Sequence, residues 1–123
     1  MKYFQSFYIT LIAILPMVLG GCHKGGVTYG SSANRARATE WLNEVCREIS
    51  GYYPESAVGT KCRNGKENIR FNYYVKHISP NTRYLGVDEC KDGLNKEIVN
   101  CSRGGKTRYG NWEYSVDPNE GYC

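Results

Sequence analysis

The residues best suited to proton transfer are two histidines, His23 and His77. A small secreted ribonuclease could use His77 and Glu113 as acid and base, with an arginine to hold the phosphate. Nucleophilic catalysis would need a histidine placed between an acid and a nucleophile, but the chain contains no Gly-x-Ser-x-Gly segment. We therefore predict that the protein is not an enzyme and uses no cofactor, with the ribonuclease as an alternative.

Aromatic residues are a more informative group, because the chain has 11 tyrosines and 2 tryptophans. Aromatic rings stack on the C–H faces of sugars, while amides and charged groups bind the hydroxyls. We predict that one C-terminal set of such residues forms a glycan-binding site: Arg103, Lys106, Arg108, Tyr109, Asn111, Trp112 and Tyr114. Tyr29 is a further candidate contact.

The role of Trp112 and Tyr114 stays open at this point. The two residues are two positions apart on a predicted strand, so they share one face of it. That face could present both rings to a ligand, or it could pack beneath a helix. The sequence does not choose between a ligand-facing and a buried Trp112.

All six cysteines lie in the last hundred or so residues: Cys22, Cys46, Cys62, Cys90, Cys101 and Cys123. An even number of cysteines in a small secreted chain predicts three disulfides rather than a metal site. If Cys90 and Cys101 lie on one intact helix, eleven steps of about 1.5 Å separate them by roughly 16 Å. A disulfide needs Cα atoms within about 7 Å, so we predict that these two do not pair. The other pairings remain open.

The first 21 residues form a secretory signal pattern. Lys2 precedes an apolar stretch from Tyr8 to Val18, and small residues follow it, which is the usual order of such a signal. We predict a signal peptide at 1–21 and a single domain at 22–123, secreted to the extracellular space without membrane attachment. Leu19-Gly20-Gly21-Cys22 also resembles a bacterial lipoprotein cleavage site, but the even cysteine count favours a disulfide at Cys22.

The distribution of charged residues does not indicate nucleic-acid binding. Removal of Lys2 with the signal lowers the formal net charge from +4 to +3. The lysines and arginines are scattered among acids rather than grouped in a block. A solvated surface of mixed sign accounts for them better than a binding footprint, so we expect no nucleic-acid partner.

Two helices are predicted from apolar spacing. The first begins at Ser31 or Ser32 and ends near Ser50, with an apolar residue every three or four positions and Gly51 as its stop. The second is capped by Asp88 and carries Cys90 and Cys101 on one face. Gly93 within it costs about 1 kcal/mol relative to alanine.

The strands are predicted around one clear hairpin. Asn64-Gly65 is the strongest turn signal, and it lies between strands at 59–63 and 69–76. Further strands are expected at 27–29, 83–87 in the extended RYLGV segment, and 111–116, with a turn at 117–119. This order predicts an α+β fold, an antiparallel sheet with two main helices packed on it.

The quoted segments also resemble a known family. In order along the chain they are CHKGG at Cys22, WLNEVCREISGYY on the first helix, DECKDGLNKEIVNC at Asp88, SRGGKTRYGNWEY and DPNEGYC. Together they resemble the fungal secreted glycan-binding proteins of the type called Y-three, over the whole of 22–123. The chain departs from that pattern at Ser115-Val116, where an arginine and a small residue are expected.

The resemblance implies an α/β sandwich with three disulfides and carbohydrate binding without catalysis. It therefore implies a glycan or glycoprotein as partner. It also implies that two protomers pair through edge strands to form a homodimer with one wider sheet. The alternative from another class is a secreted effector or killer-type toxin that acts on a protein of a host or competitor.

One short motif is independent of all these assignments. Asn100-Cys101-Ser102 is an acceptor sequence for N-linked glycosylation. Because its middle residue is expected in a disulfide, the sequence does not decide whether Asn100 is modified.

Overall fold

The structure is a computed structural model that describes residues 19–123. The predicted signal peptide therefore lies outside the described residues as far as residue 18. Its last three residues, 19–21, pair with residues 106–108, so cleavage after residue 21 would leave only Cys22 of that strand. Within the described part the chain forms seven strands and three helices in the order β1 (Leu19–Cys22), α1 (Ser32–Glu40), α2 (Leu42–Ile49), β2 (Gly51–Tyr53), β3 (Val58–Asn64), β4 (Ile69–His77), β5 (Arg83–Leu85), α3 (Val87–Asn100), β6 (Gly105–Tyr109) and β7 (Trp112–Glu120).

Five of these strands form one antiparallel sheet in the order β1-β6-β7-β4-β3. The remaining two, β2 and β5, pair with each other as a separate ribbon. The helices pack on one face of the main sheet, where the Tyr73 hydroxyl donates to the Ala38 carbonyl at 2.7 Å. This confirms the predicted α+β fold, with an antiparallel sheet beneath a helical layer.

The first helical region is two helices rather than one. Ser31 caps α1 by accepting a hydrogen bond from the Asn34 amide at 3.1 Å, a common way to begin a helix. Helix α1 ends at Glu40, and α2 starts at Leu42 after the single intervening residue Trp41. The apolar spacing continues through this break, which is why the sequence predicts a single helix.

The N-cap of helix α3 is Gly86, two residues before the predicted cap Asp88, and the helix begins at Val87. The glycine within it has a structural reason. A Cβ atom at position 93 would lie 2.2 Å from the Tyr114 ring carbon Cζ. Only glycine allows the Tyr114 ring to lie against the helix here. The cost of glycine within a helix is offset by this close contact between α3 and the sheet.

The three disulfides join Cys22 with Cys101, Cys46 with Cys90, and Cys62 with Cys123. The prediction of three disulfides without a Cys90–Cys101 pair is confirmed. Cys46 and Cys90 are both fully buried and join α2 to α3. The other two bridges fasten β1 to the end of α3, and β3 to Cys123, three residues after the last strand.

Several predicted strand positions are wrong. Residues 27–29 form no strand, and β6 lies at 105–109, where the sequence predicts none. Residues 117–119 continue β7 instead of turning. Pro118 is tolerated there because β6 begins at Gly105, opposite Val116, so that within the described residues Pro118 pairs only with Phe71 of β4. A strand position paired on one side can do without an N–H group.

The hairpin between β3 and β4 is confirmed, but its turn differs from the expected one. Asn64 ends β3, and the left-handed backbone conformations fall at Glu67 and Asn68, with φ of 63° and 58°. The connection is therefore a longer loop than the two-residue Asn-Gly turn. The Asn34 side chain closes it by donating to the Lys66 carbonyl at 3.1 Å and accepting from the Lys66 amide at 2.7 Å.

A buried carboxyl lies between α3 and the sheet. Glu97 is 2% exposed, and its Oε1 accepts a hydrogen bond from the Thr107 hydroxyl at 2.9 Å. Burial raises the pKa of the Glu97 carboxyl, against smaller opposing effects of Thr107, His23 and Lys96. A raised pKa in the folded state means that stability is lost as pH rises from the ordinary value of a glutamate through the raised one.

We expect Glu97→Gln to remove this loss, because glutamine has no charge to desolvate. Denaturant unfolding at several pH values between 4 and 8 measures it: wild-type stability should fall over this range more than that of the variant. Asp92→Asn, at an exposed position of the same helix, serves as control and should keep the wild-type slope. Equal slopes for wild type and Glu97→Gln would contradict the expectation.

Candidate ligand-binding site

The alternation of β6 and β7 divides the seven predicted glycan contacts between the two faces of the sheet. Lys106 and Arg108 lie on the face turned away from the helices, which we call the open face. Trp112 and Tyr114 lie on the opposite face and are 1% and 3% exposed. The prediction that these two rings contact a ligand is therefore wrong, and the alternative of a buried pair is correct.

The burial of Trp112 is complete on both sides of its ring. The ring lies edge-on to Tyr53, with centroids 5.4 Å apart at an interplanar angle of 88°. His77, which is opposite Trp112 in the register of β4 and β7, lies 4.9 Å away. Both neighbours come from the core face, so Trp112 fixes the end of the sheet near the β2–β5 ribbon.

The other three predicted contacts lie away from Lys106. Tyr109 is half-buried on the core face, 6.4 Å from the Tyr114 ring and 4.8 Å from the Lys96 ammonium. The Arg103 side chain donates to the Gly26 carbonyl at 3.1 Å. Asn111 is in the β6–β7 turn, and Tyr29 is buried in the core. The seven residues therefore do not form one site.

A different set of residues meets at the centre of the open face. Ser115 of β7 lies opposite Tyr74 of β4 on one side and Lys106 of β6 on the other. Glu113 and Asp117 flank Ser115 along the same strand and the same face. Since Ser115 is the smallest of these side chains, it forms the floor of a depression with taller residues around it.

The Glu113 carboxylate organises one side of this depression. It accepts hydrogen bonds from the Tyr74 hydroxyl at 3.3 Å and from Arg108 Nε at 3.2 Å, and Lys106 Nζ lies 3.9 Å from it. The ammonium of Lys106 is also 4.4 Å from the centroid of the Tyr74 ring. Two cations and a phenol are thus held in place by one acid.

The Tyr74 hydroxyl remains protonated in this setting. Burial raises its pKa, and the negative charge of Glu113 and the hydrogen bond to it raise it further. A protonated phenol can donate to the Glu113 carboxylate. Tyr74 therefore supplies a neutral aromatic ring and a polar tip to the open face.

The other side of the depression carries hydrogen-bonding groups. The Asn119 amide donates to Asn72 Oδ1 at 2.8 Å and to Asp117 Oδ2 at 3.3 Å, which orients both side chains. Among residues 19–123 no lysine or arginine lies within salt-bridge distance of Asp117. Its carboxylate is therefore free to accept hydrogen bonds from a ligand.

Together these residues surround a cavity of about 510 Å³. Its lining comes from β3, β4, β6 and β7: Thr60, Lys61, Cys62, Asn72, Tyr73, Tyr74, Lys106, Ser115 and Asp117. Only Lys106 belongs to the predicted set. The other eight lining residues are not among the predicted contacts, although the alternation of β4 places Asn72 and Tyr74 on a more exposed face than Phe71 and Tyr73.

The ribonuclease arrangement is not present. His77 is fully buried on the core face, where its ring nitrogens lie 3.1 Å from the Pro54 carbonyl and 2.8 Å from the Ser79 hydroxyl. Glu113 points to the open face, since it pairs with Lys76 and not with His77. The two side chains therefore cannot act on one substrate as acid and base.

Residues 19–123 contain neither a cluster of metal-binding side chains nor a helix suited to crossing a membrane. This part of the chain holds no group of three or more histidine, cysteine or acidic side chains that could bind a metal ion. None of its helices has the length and apolar character needed to cross a membrane. Comparisons with models of known protein families and with curated proteins found no match to this chain.

The burial of Trp112 leads to a stability prediction. Trp112→Ala should lower the free energy of unfolding by about 3 to 5 kcal/mol, because it removes a large buried ring and leaves a cavity. Chemical denaturation measures the change. Tyr52→Ala, at a position that is 76% exposed, is the matched control and should change stability by no more than about 0.5 kcal/mol. Similar small effects of both substitutions would argue against a buried Trp112.

Proposed function

We propose that the protein is a secreted, non-catalytic carbohydrate-binding protein whose site is the cavity on the open face. One observation carries the proposal: the Tyr74 ring stands beside oriented amide and carboxylate groups of Asn72 and Asp117, on a face that no helix of residues 19–123 covers. An aromatic ring next to fixed hydrogen-bonding groups suits a sugar, which has both C–H faces and hydroxyls.

The chemistry of each wall suggests how a sugar ring is held. Asp117 accepts hydrogen bonds from hydroxyls, and the Asn72 amide can donate and accept. Lys106 is half-exposed on a flexible stem, so that its ammonium donates to a sugar oxygen when it moves off the Tyr74 ring. The vacated ring then packs against sugar C–H groups.

The resemblance to the Y-three type supports the class of ligand and places a difference within the site. The position where the chain departs from that pattern, Ser115, is the floor of the cavity. An arginine there would fill the depression between Tyr74 and Lys106. We infer that serine leaves room for a ligand and gives this chain a specificity of its own.

Binding to an array of glycans tests the proposal, with oxidised protein. Tyr74→Ala should weaken the binding of any glycan found by about tenfold, equivalent to about 1.4 kcal/mol. Asp117→Asn should weaken it by about ten- to a hundredfold, since hydrogen bonds to charged groups contribute about 1.5 to 3 kcal/mol. Isothermal titration of each variant with the same glycan measures both effects.

Two controls separate the site from the rest of the surface. Tyr52→Ala removes an exposed tyrosine elsewhere, and Glu120→Gln removes an exposed acid at the end of β7. Both should bind as wild type. Equal losses in the controls, or an array without signal above background, would count against carbohydrate binding at the cavity. Growth inhibition or host-cell death without sugar dependence would favour the effector or toxin alternative.

We also propose that two protomers pair through β3. Among the strands of residues 19–123, this one is at an end of the sheet and pairs only with β4, so its other side has backbone groups available for a partner strand. Val58→Lys together with Thr60→Lys places charge on two exposed positions of this strand. Sedimentation velocity should show a dimer for wild type and a monomer for the double variant; a monomeric wild type at high concentration would exclude the pairing.

A further inference from the structure

A shallow apolar groove lies between helices α1 and α3, in the layer opposite the open face. It measures about 440 Å³. Its walls are Ser32, Arg35, Ala36, Thr39, Glu40, Ile98 and Val99. Val99 is 55% exposed, which makes it one of the few large apolar side chains left in water in the described residues. Covering such a surface removes apolar area from water, which is favourable in free energy.

The acceptor sequence Asn100-Cys101-Ser102 begins next to this groove. Asn100 is the last residue of α3, directly after Val99, and both Asn100 and Ser102 are exposed. The backbone is extended at Cys101, with φ of −130° and ψ of 112°. The helix therefore ends at the acceptor residue, and the two residues that define the motif face solvent.

We propose that Asn100 carries an N-linked glycan whose first sugars lie in the groove between α1 and α3. The donor is a lipid-linked oligosaccharide pyrophosphate. The amide nitrogen of Asn100 bonds to the anomeric carbon of the first sugar, the lipid pyrophosphate leaves with the bonding electrons, and the amide releases a proton. The proposal rests on passage through the secretory pathway and is independent of carbohydrate binding at the open face.

The groove has the chemistry that a covering sugar needs. Ala36 and Val99 offer an apolar surface to sugar C–H groups, and the rim carries the Arg35 guanidinium and the Glu40 carboxylate for the hydroxyls. Val99 and Asn100 are consecutive residues of α3, and side chains one position apart diverge on a helix, so the first sugars must fold back over Val99 to reach the groove. A glycan in this place covers the helix layer and leaves the open face free.

The disulfide at Cys101 sets a condition on the modification. Cys101 is buried and joined to Cys22 in the finished fold, so the middle of the motif is held against the core. The sugar must be transferred while this segment is still accessible. Oxidation of Cys101 therefore competes with transfer, and we expect incomplete occupancy of Asn100.

Expression of the full chain in a eukaryotic secretory host tests the modification. Intact mass before and after treatment with peptide N-glycosidase should reveal one glycan, and released protein should carry aspartate at position 100. Asn100→Gln and Ser102→Ala should both lack the glycan. Ser102→Thr keeps the motif and should be modified to at least the wild-type extent.

An added acceptor site provides the internal control. Arg83→Thr turns Asn81-Thr82 into a second acceptor sequence on an exposed loop. Modification at Asn81 with none at Asn100 would overturn the proposal, because the chain would then have met the transferase. Absence of sugar at both positions would overturn it as well, by removing its premise of passage through the secretory pathway.

The position of the glycan needs a separate measurement. Hydroxyl-radical footprinting should show less oxidation of Val99 in the glycosylated protein than in the Asn100→Gln variant. Tyr52, which is exposed elsewhere, should be oxidised equally in both. Equal oxidation of Val99 in the two proteins would show that the glycan extends into solvent and would overturn its placement in the groove.

Discussion

The contact between Gly93 and the Tyr114 ring sets how closely helix α3 approaches the sheet. Because position 93 has no Cβ, the ring lies directly against the helix backbone. The neighbouring positions on that helix face depend on this distance. Cys90 meets Cys46 of α2, and Glu97 meets Thr107 of β6. A larger residue at position 93 would clash with the ring and move the helix outward, which would strain the Cys46–Cys90 bridge and lengthen the Glu97–Thr107 hydrogen bond.

This close packing also decides where binding chemistry can be. The core face of β7 is occupied by Trp112, Tyr114 and Val116, all of which are buried. The polar residues of the same strand are therefore left on the other face, where Ser115 and Asp117 border the cavity. The arrangement of the core and the composition of the open face are two results of one alternating strand.

The sequence predicts much of this, up to the point where pairing between distant strands matters. The helical spacing near Leu42 and Cys90, the three disulfides and the hairpin after Asn64 follow from local patterns. The spacing also shows that Trp112 and Tyr114 share a face. Which face is buried depends on what packs there, and both faces of β7 contain residues that could contact a ligand or a core.

Local sequence patterns do not predict the candidate site, because it too depends on how distant strands pair. Tyr74, Lys106 and Ser115 meet only because β4 and β6 both pair with β7 in one register, and sequence spacing does not give that register. The sequence does not predict β6 either, since Gly105 and Lys106 are residue types typical of loops. Its glycine is required by a close approach, because a Cβ at position 105 would lie 2.9 Å from Glu97 Oε1 and 3.0 Å from Cys101 Sγ.

The strand order gives the two sides of the cavity different dynamics. β7 and β4 are central, with a paired strand on each side, whereas β3 is at the edge and is held by β4 and by the bridge from Cys62 to Cys123. Backbone amides in the middle of a sheet open mostly by global unfolding, while those at an edge open by local fluctuation. In a single protomer, Tyr74, Ser115 and Asp117 thus form the rigid side of the cavity, and Thr60 and Cys62 form the side that can adjust to the outline of a ligand until a partner strand pairs with β3.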